Sequence, residues 1–315
     1  MNPGEPKPEI SVVLVSDYGA GSAIAWDHLR QVLAALARQR FNGAVEYLFV
    51  ENGRFLEQAP RGLLDLLPGL RVIPSPQTGS YELKNHGARE ARGGILTILD
   101  TDCTPHPGWL AAIAASFAAH PDAAAISGRT KYEDRGPQYR LASLLSRAYV
   151  DRGTAGVTEH VSNNNSAWRR SVFLEHPLPA GLGPFAGRIQ SEAVRRSGGL
   201  LLFDPAIAVT HRFEGWPMEA DVRRNAGYGT VIVRLHEPRM PYVGLARLGR
   251  LSIPLFAAGK AIHNWRDTLR CWRHFGLRFH QVPKALILGL VAAAMEIPGM
   301  WLAFGRRAIP RTEYR

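Results

Sequence analysis

Cysteine is nearly missing from this chain of 315 residues: Cys103 and Cys271 are the whole complement. Two thiols build neither a disulfide framework nor a four-cysteine zinc site. No repeat of fixed period runs through the sequence, which excludes solenoid and collagen-like chains. The segment Met1–Pro8 is polar and proline-rich and has none of the apolar core of a secretory signal. A reducing cytoplasm is therefore the expected compartment. Apolar residues, by contrast, are plentiful: 46% of the chain is hydrophobic and 21% charged, which excludes a mainly disordered protein. That length and composition suit one large α/β domain with an appendage.

Acidic residues are scarce in one region only. Residues 1–215 hold 22 Lys/Arg against 21 Asp/Glu, whereas residues 216–315 hold 16 against 6. Nearly all of the formal net charge of +11 sits in that last third. The longest apolar stretches, Leu251–Ala258 and Ala285–Met295, lie there too. Cationic side chains among long apolar faces suit an anionic membrane surface, where each Lys or Arg adds about 1 kcal/mol. A solvated basic face on a helical region has the same composition. Zinc-finger and RNA-recognition signatures are missing, and no nucleic-acid partner is expected. Lys284–Phe304 has the ~20 residues that a membrane span needs, but Glu296 and Pro298 interrupt it. An interfacial or re-entrant helix pair is expected, peripheral or monotopic at the inner face of the cell membrane.

Residues 1–215 alternate strand and helix patterns. Ile10–Ser16 is an apolar run of buried-strand length, Ala44–Val50 reads as a second strand, and Leu70–Ile73 as a third, shorter one. Ser22–Arg40 and Tyr81–Arg92 carry helical periodicity, the second closed by Gly93-Gly94. Ile95–Leu99 is a fourth strand running straight into Asp100-Thr101-Asp102. Strands joined by helices of this length predict right-handed crossovers and a mainly parallel, Rossmann-like sheet with flanking helices. Ligands of such sheets sit beyond the carboxyl ends of the strands, where Glu51 and the two aspartates fall. Two carboxylates there repel one another unless a divalent cation sits between them. Mg²⁺ or Mn²⁺ on such ligands completes its shell with substrate phosphates. As a bare tripeptide, Asp-x-Asp is also an ordinary polar turn.

The stretch Lys84-Asn85-His86-Gly87 through Ile95–Leu99 to Asp100-Thr101-Asp102, followed by Pro105, Pro107-Gly108 and Trp109-Leu110, resembles family 2 glycosyltransferases. Two further blocks occur in the family's order: Ser162-Asn163-Asn164-Asn165-Ser166-Ala167-Trp168-Arg169-Arg170, and Gly198-Gly199 through Asp204-Pro205 to Thr210-His211. The resemblance covers residues 10–211. It implies a GT-A fold over residues 1–215, with residues 216–315 as a basic, apolar helical region. It also implies a UDP-, GDP- or dTDP-sugar donor, a divalent metal (Mn²⁺ or Mg²⁺) and inversion at the anomeric carbon.

Carried over residue by residue, the resemblance places Asp100, Asp102 and His211 on the metal. Ser16, Asp17, Glu51, Lys84, Asn85 and Asp100 fall on the donor, and Asn164, Asn165, Trp168 and Arg169 toward the acceptor. Each has a plain structural counterpart: a solvated Lys84, a packed His211, a core Trp168, or Arg169 at a helix start. The family's catalytic Glu-Asp pair is missing, since Ala186-Gly187 stands at its place. Glu192 is the nearby acid, either the base of the reaction or the solvated face of an amphipathic helix. The Gln-x-x-Arg-Trp motif of processive synthases is also missing, so single-sugar addition is expected, and the basic, apolar tail points to a glycan acceptor that is lipid-linked or membrane-proximal. The competing readings are a nucleotidyltransferase, disfavoured because Gly19–Ser22 has no neighbouring basic residue, and a catalytically degenerate sugar-nucleotide-binding membrane protein.

Overall fold

A computed structural model of the chain describes residues 7–16, 19–182, 185–212 and 215–305. The chain divides into two compact units, residues 7–131 with 154–211, and residues 132–153 with 212–305. Residues 132–153 thus belong with the C-terminal helices.

The strands are β1 (Ile10–Val15), β2 (Val45–Asn52), β3 (Leu70–Ser75), β4 (Ile95–Asp100), β5 (Cys103–Pro105), β6 (Ala123–Tyr132), β7 (Gly156–Val157), β8 (Asn165–Arg169) and β9 (Leu200–His211). The helices are α1 (Ala23–Ala37), α2 (Gly53–Leu56), α3 (Ser80–Glu90), α4 (Trp109–Ala119), α5 (Pro137–Arg147), α6 (Arg170–Glu175), α7 (Ala186–Arg196), α8 (Trp216–His236), α9 (Val243–Ala246), α10 (Ile253–Cys271) and α11 (Val282–Phe304).

In the first unit one sheet runs in the order β3-β2-β1-β4-β8-β6-β9-β5, with β7 on β9. The expectation of a mainly parallel sheet is corrected to a mixed one. Strands β3, β2, β1 and β4 are parallel. Beyond β4 the pairings of β4 with β8, β8 with β6, and β9 with β5 and β7 are antiparallel.

Side chains of β1 alternate between two cores, the period of a strand buried on both faces. Ile10, Val12 and Leu14 meet Trp26, Leu29 and Leu33 of α1 and Ile113 and Phe117 of α4. Val13 and Val15 share the other core with Tyr81 and Leu83 of α3, Phe173 of α6 and Val194 of α7. Helix α1 starts at Ser22, whose hydroxyl accepts from the Ala25 amide at 3.2 Å. Helix α3 lies close on the sheet because Gly87 faces Val13 and Val50; a Cβ there would overlap both.

The second unit is helical. Val231 of α8, Phe256 of α10 and Met300 of α11 share a core. Glu219 and Arg223, one turn apart on α8, form a buried ion pair at 2.7 Å.

Candidate active site

Strand register builds the site. Val15 of β1 pairs with Asp100 of β4, and Cys103 of β5 pairs with His211 of β9. The chain leaving β4 is fixed by two backbone bonds: Asp100 N–H donates to the Asn164 carbonyl and Thr101 N–H to the Val15 carbonyl, each at 3.1 Å. Asp102 thereby lies against the last residue of β9. Its Oδ2 is 3.2 Å from Nε2 of His211, and the two side chains keep narrow openings to solvent, 12% and 13% exposed.

Two neighbours complete this corner. The Cys103 thiol donates to Asp102 Oδ1 at 3.3 Å, and the Asn164 amide donates to the Cys103 sulfur at 3.4 Å. Burial by itself pushes the Asp102 carboxyl upward in pKa. The His211 charge and hydrogen bond, with the Cys103 bond and the His28 charge, override it and hold Asp102 well below the usual carboxylate range.

The donor set fits the implied divalent cation. A carboxylate oxygen of Asp102, a ring nitrogen of His211 and the sulfur of Cys103 lie within 4.8 Å of one another. Carboxylate and imidazole are ordinary ligands for Mn²⁺, with the thiol a softer third. Asp100, expected to share the cation with Asp102, is not one of these three residues and has a cationic partner in Lys84. Its Oδ1 sits 2.8 Å from the Lys84 ammonium, and both side chains are buried. The lysine already neutralises the carboxylate that a metal was expected to neutralise. Lys84 is accordingly a buried partner of Asp100, not a solvated surface residue, and its ammonium packs 4.5 Å from the Tyr81 ring centroid.

The other expected positions divide. Ser16 is buried beside this corner and accepts a bond from the Thr101 hydroxyl at 3.4 Å. Asp17 lies outside the described residues. Glu51 is closed to solvent at the end of β2, with its Oε1 accepting from the Asn52 amide at 2.7 Å. The Asn85 amide is committed to the Leu178 backbone at 2.8 and 3.0 Å, a clasp between α3 and the segment after α6.

Among the acceptor candidates, Asn164 alone touches the Asp102 corner. Asn165 is a buried hub: it accepts from the Trp109 indole at 3.0 Å and donates to the Arg129 and Ile207 carbonyls. Trp168 lies in the core. It is fully buried, edge-on to Phe173 at 5.5 Å, because it points into the core from β8. Arg169 pairs with Ile95 at the amino end of β4, the far end from Asp100, and donates to the Phe117 and Pro121 carbonyls.

Glu192, on α7, forms ion pairs with Arg195 at 3.1 Å and Arg196 at 3.0 Å. Two guanidinium groups of its own helix thus engage the Glu192 carboxylate.

One residue of this corner, Cys103, is given no role by the sequence. Cys103 follows Asp102 directly, a position that signals proximity and nothing about role. Asn163 is buried, and its Oδ1 has no hydrogen-bond partner among the described residues. It occupies space left by Gly187, where a Cβ would overlap the Asn163 amide nitrogen.

Residues 21–176 match the model of Glycosyl transferase family 2. The chain belongs to this family. Glycosyltransferase AglE of Haloferax volcanii is 24% identical over 169 residues, 52% of this chain and 54% of that protein, so the chain spans about half the length of this curated relative. Among solved structures, the mannosyltransferase PcManGT of Pyrobaculum calidifontis, in complex with GDP-Man and Mn²⁺, is similar with a TM-score of 0.56 at 15% identity, over 93% of this chain and 87% of that one. S. aureus TarS 1–349 in complex with UDP is similar with a TM-score of 0.51 at 13% identity, over 94% and 90%. These likenesses establish the GT-A fold, and the family match places residues 21–176 in Glycosyl transferase family 2.

Proposed function

We propose that this family 2 enzyme is metal-dependent and moves one sugar, with inversion, from a nucleoside diphosphate sugar to a lipid-linked or membrane-proximal acceptor at the cytoplasmic face of a membrane. The observation that carries the reading is the 3.2 Å approach of Asp102 to His211 beyond the carboxyl end of the parallel half-sheet. The GDP-Man and Mn²⁺ of the Pyrobaculum calidifontis structure and the UDP of TarS support the donor class.

Asp102 and His211 would hold Mn²⁺ or Mg²⁺, with Cys103 beside them. When bound, the cation supplies positive charge to a departing diphosphate. The chain's own residues do the positioning. Lys84 pairs with Asp100 and holds it behind the strand end, and Asn164 fixes the Asp100 amide and the Cys103 sulfur. The basic and apolar composition of residues 216–315 supports a membrane-proximal acceptor.

The test is release of nucleoside diphosphate from a panel of UDP-, GDP- and dTDP-sugars with Mn²⁺ or Mg²⁺. Wild type is expected to turn over at least one donor, and Asp102→Ala to lose roughly a hundredfold or more, the scale of one lost charge-stabilising group. No turnover or binding of any donor, or wild-type rates in Asp102→Ala, would overturn the reading. Release of pyrophosphate from a nucleoside triphosphate and a sugar phosphate would favour a nucleotidyltransferase instead.

A further inference from the structure

Helix α11 and its approach segment, Phe279–Phe304, run for 26 residues and contain an 18-residue stretch with mean hydropathy 1.8, long and apolar enough to cross a membrane. Its packing argues for another use. Gly299 of α11 faces the Arg224 carbonyl of α8, and Gly227 of α8 faces the Glu296 carbonyl of α11; a Cβ at either glycine would overlap that oxygen. The two backbones are in direct contact. Helix α11 cannot enter hydrocarbon along its length without taking α8 with it, including the Glu219–Arg223 ion pair and Arg224.

The outward faces of the helices have the opposite character. On α10, Leu255, Ile262 and Leu269 recur every seven residues, and on α11 Ile287, Leu290 and Trp301 form a second stripe; each is more than half exposed. A water-facing apolar surface of this extent marks an interaction site.

Charge selects the partner. The acids of the two helices are turned inward: Asp267 is buried against His263 at 3.1 Å, and Glu296 against Lys260 at 3.2 Å. What remains outward is apolar or basic. Arg266, Arg270, Arg273, Arg278 and Lys284 gather where α10 ends and α11 begins, and Arg250 stacks on Trp301 at 4.3 Å.

We propose that α10 and α11 form a monotopic platform, lying in the headgroup region of an anionic bilayer with their outward stripes inserted and α11 not spanning. The inference rests on the membrane association proposed above and specifies its geometry. Acidic phospholipid headgroups would meet the arginines, while the Trp265 and Trp301 rings sit at the boundary between headgroup and chain.

The test uses the full chain with phosphatidylcholine vesicles, with and without phosphatidylglycerol, carrying bromine at shallow or mid-bilayer acyl positions. Trp265→Phe/Trp301→Phe identifies the signal from these two rings. Binding is expected to anionic vesicles, to weaken at high salt, and to show stronger quenching by shallow bromine. Ile262→Glu/Ile287→Glu should lose roughly tenfold or more in vesicle affinity while keeping donor turnover in vesicle-free buffer. Equal or stronger mid-bilayer quenching, no anionic-vesicle binding, or unchanged binding in the double variant would each overturn the proposal. So would a concentration-dependent dimer in wild type that this variant abolishes, because a second copy would then cover the face. Absent donor turnover in wild type bears on the enzymatic reading alone.

Discussion

The ammonium of Lys84 stands 2.8 Å from Oδ1 of Asp100, on side chains that are 0% and 4% exposed. Helix α3 reaches this strand end because Gly87, one turn further on, lets it press against Val13 and Val50. Removing one partner of such a pair strands a buried charge, at a cost of about 3–5 kcal/mol, whereas replacing both with apolar residues can be nearly neutral. Lys84→Met is therefore expected to destabilise the fold strongly, and Lys84→Met/Asp100→Leu to recover much of the loss. Urea unfolding of the two single variants and the double variant measures the coupling. Additive losses would mean that the pairing does not hold this strand end.

The cation site separates the two aspartates. Ligand present at about a hundred times its dissociation constant stabilises the native state by about 2.7 kcal/mol. Mn²⁺ at saturating concentration should therefore raise the melting temperature of wild type, and fail to do so in Asp102→Ala and His211→Ala. Asp100→Asn should start from a lower melting temperature yet keep most of the Mn²⁺-dependent increment. Losing that increment would return Asp100 to the ligand set.

Asp102 makes stability depend on pH in a definite direction. Its carboxyl is held below the usual range by His211, with burial opposing. A carboxylate depressed in the folded state contributes stability that is fully present above its unfolded pKa of about 3.9, and that fades as pH falls toward the folded value. The stability gap between wild type and Asp102→Asn should therefore be widest near neutral pH and narrow below about pH 4. Chemical denaturation of both proteins without metal, at about pH 7 and about pH 3, reads it directly. A gap that widens in acid would mean that His211 does not stabilise the carboxylate.

What the sequence disclosed follows from what carries local signal. Ile95–Leu99 is a short run apolar but for Thr97 and followed by Asp100-Thr101-Asp102, so both the strand and the position of Asp102 could be read. His211 could be placed because it ends the long apolar strand β9. The antiparallel half of the sheet could not. Asn165–Arg169 has no strand periodicity and is extended because Leu96 and Leu99 of β4 pair with it, and Ala123–Tyr132 begins with three alanines. The Lys84–Asp100 pair forms across a helix-to-strand crossover, and spacing in a chain does not report which lysine turns inward. Trp168 and Asn165 have the residue types of a sugar-binding loop, but their strand directs them into the core. Burial decides their role, and burial is a tertiary property.

Glu192 distinguishes an ion-paired surface acid from a base. With its side chain 24% exposed and two arginines of its own helix beside it, Glu192→Gln should cost under ~1 kcal/mol of stability. Donor turnover should fall by less than about tenfold, with an unchanged pH profile. A loss of about a hundredfold or more, with the acid limb of the profile removed, would make Glu192 the base. Trp168→Ala should behave in the opposite way. It empties a core position at a cost of about 3–5 kcal/mol, and the folded fraction should show an unchanged acceptor KM.

Gly227 and Gly299 offer a test in which the expected sign is unusual. Glycine within a helix is ordinarily the weaker choice, and replacement by alanine stabilises by roughly 0.5–1 kcal/mol. Here each faces a backbone carbonyl of the opposing helix, an obstacle that no rotamer change can remove. Gly227→Ala and Gly299→Ala should therefore destabilise, by about 1–3 kcal/mol as α8 and α11 are forced apart. Gly259, on α10 of the same unit, has nothing within 4 Å of where a Cβ would stand; it is the matched control and should gain slightly on Gly259→Ala. Thermal unfolding of the three variants compares them under one condition. If Gly227→Ala and Gly299→Ala stabilise as Gly259→Ala does, the α8–α11 contact is looser than described, and α11 is free to leave α8 for the bilayer.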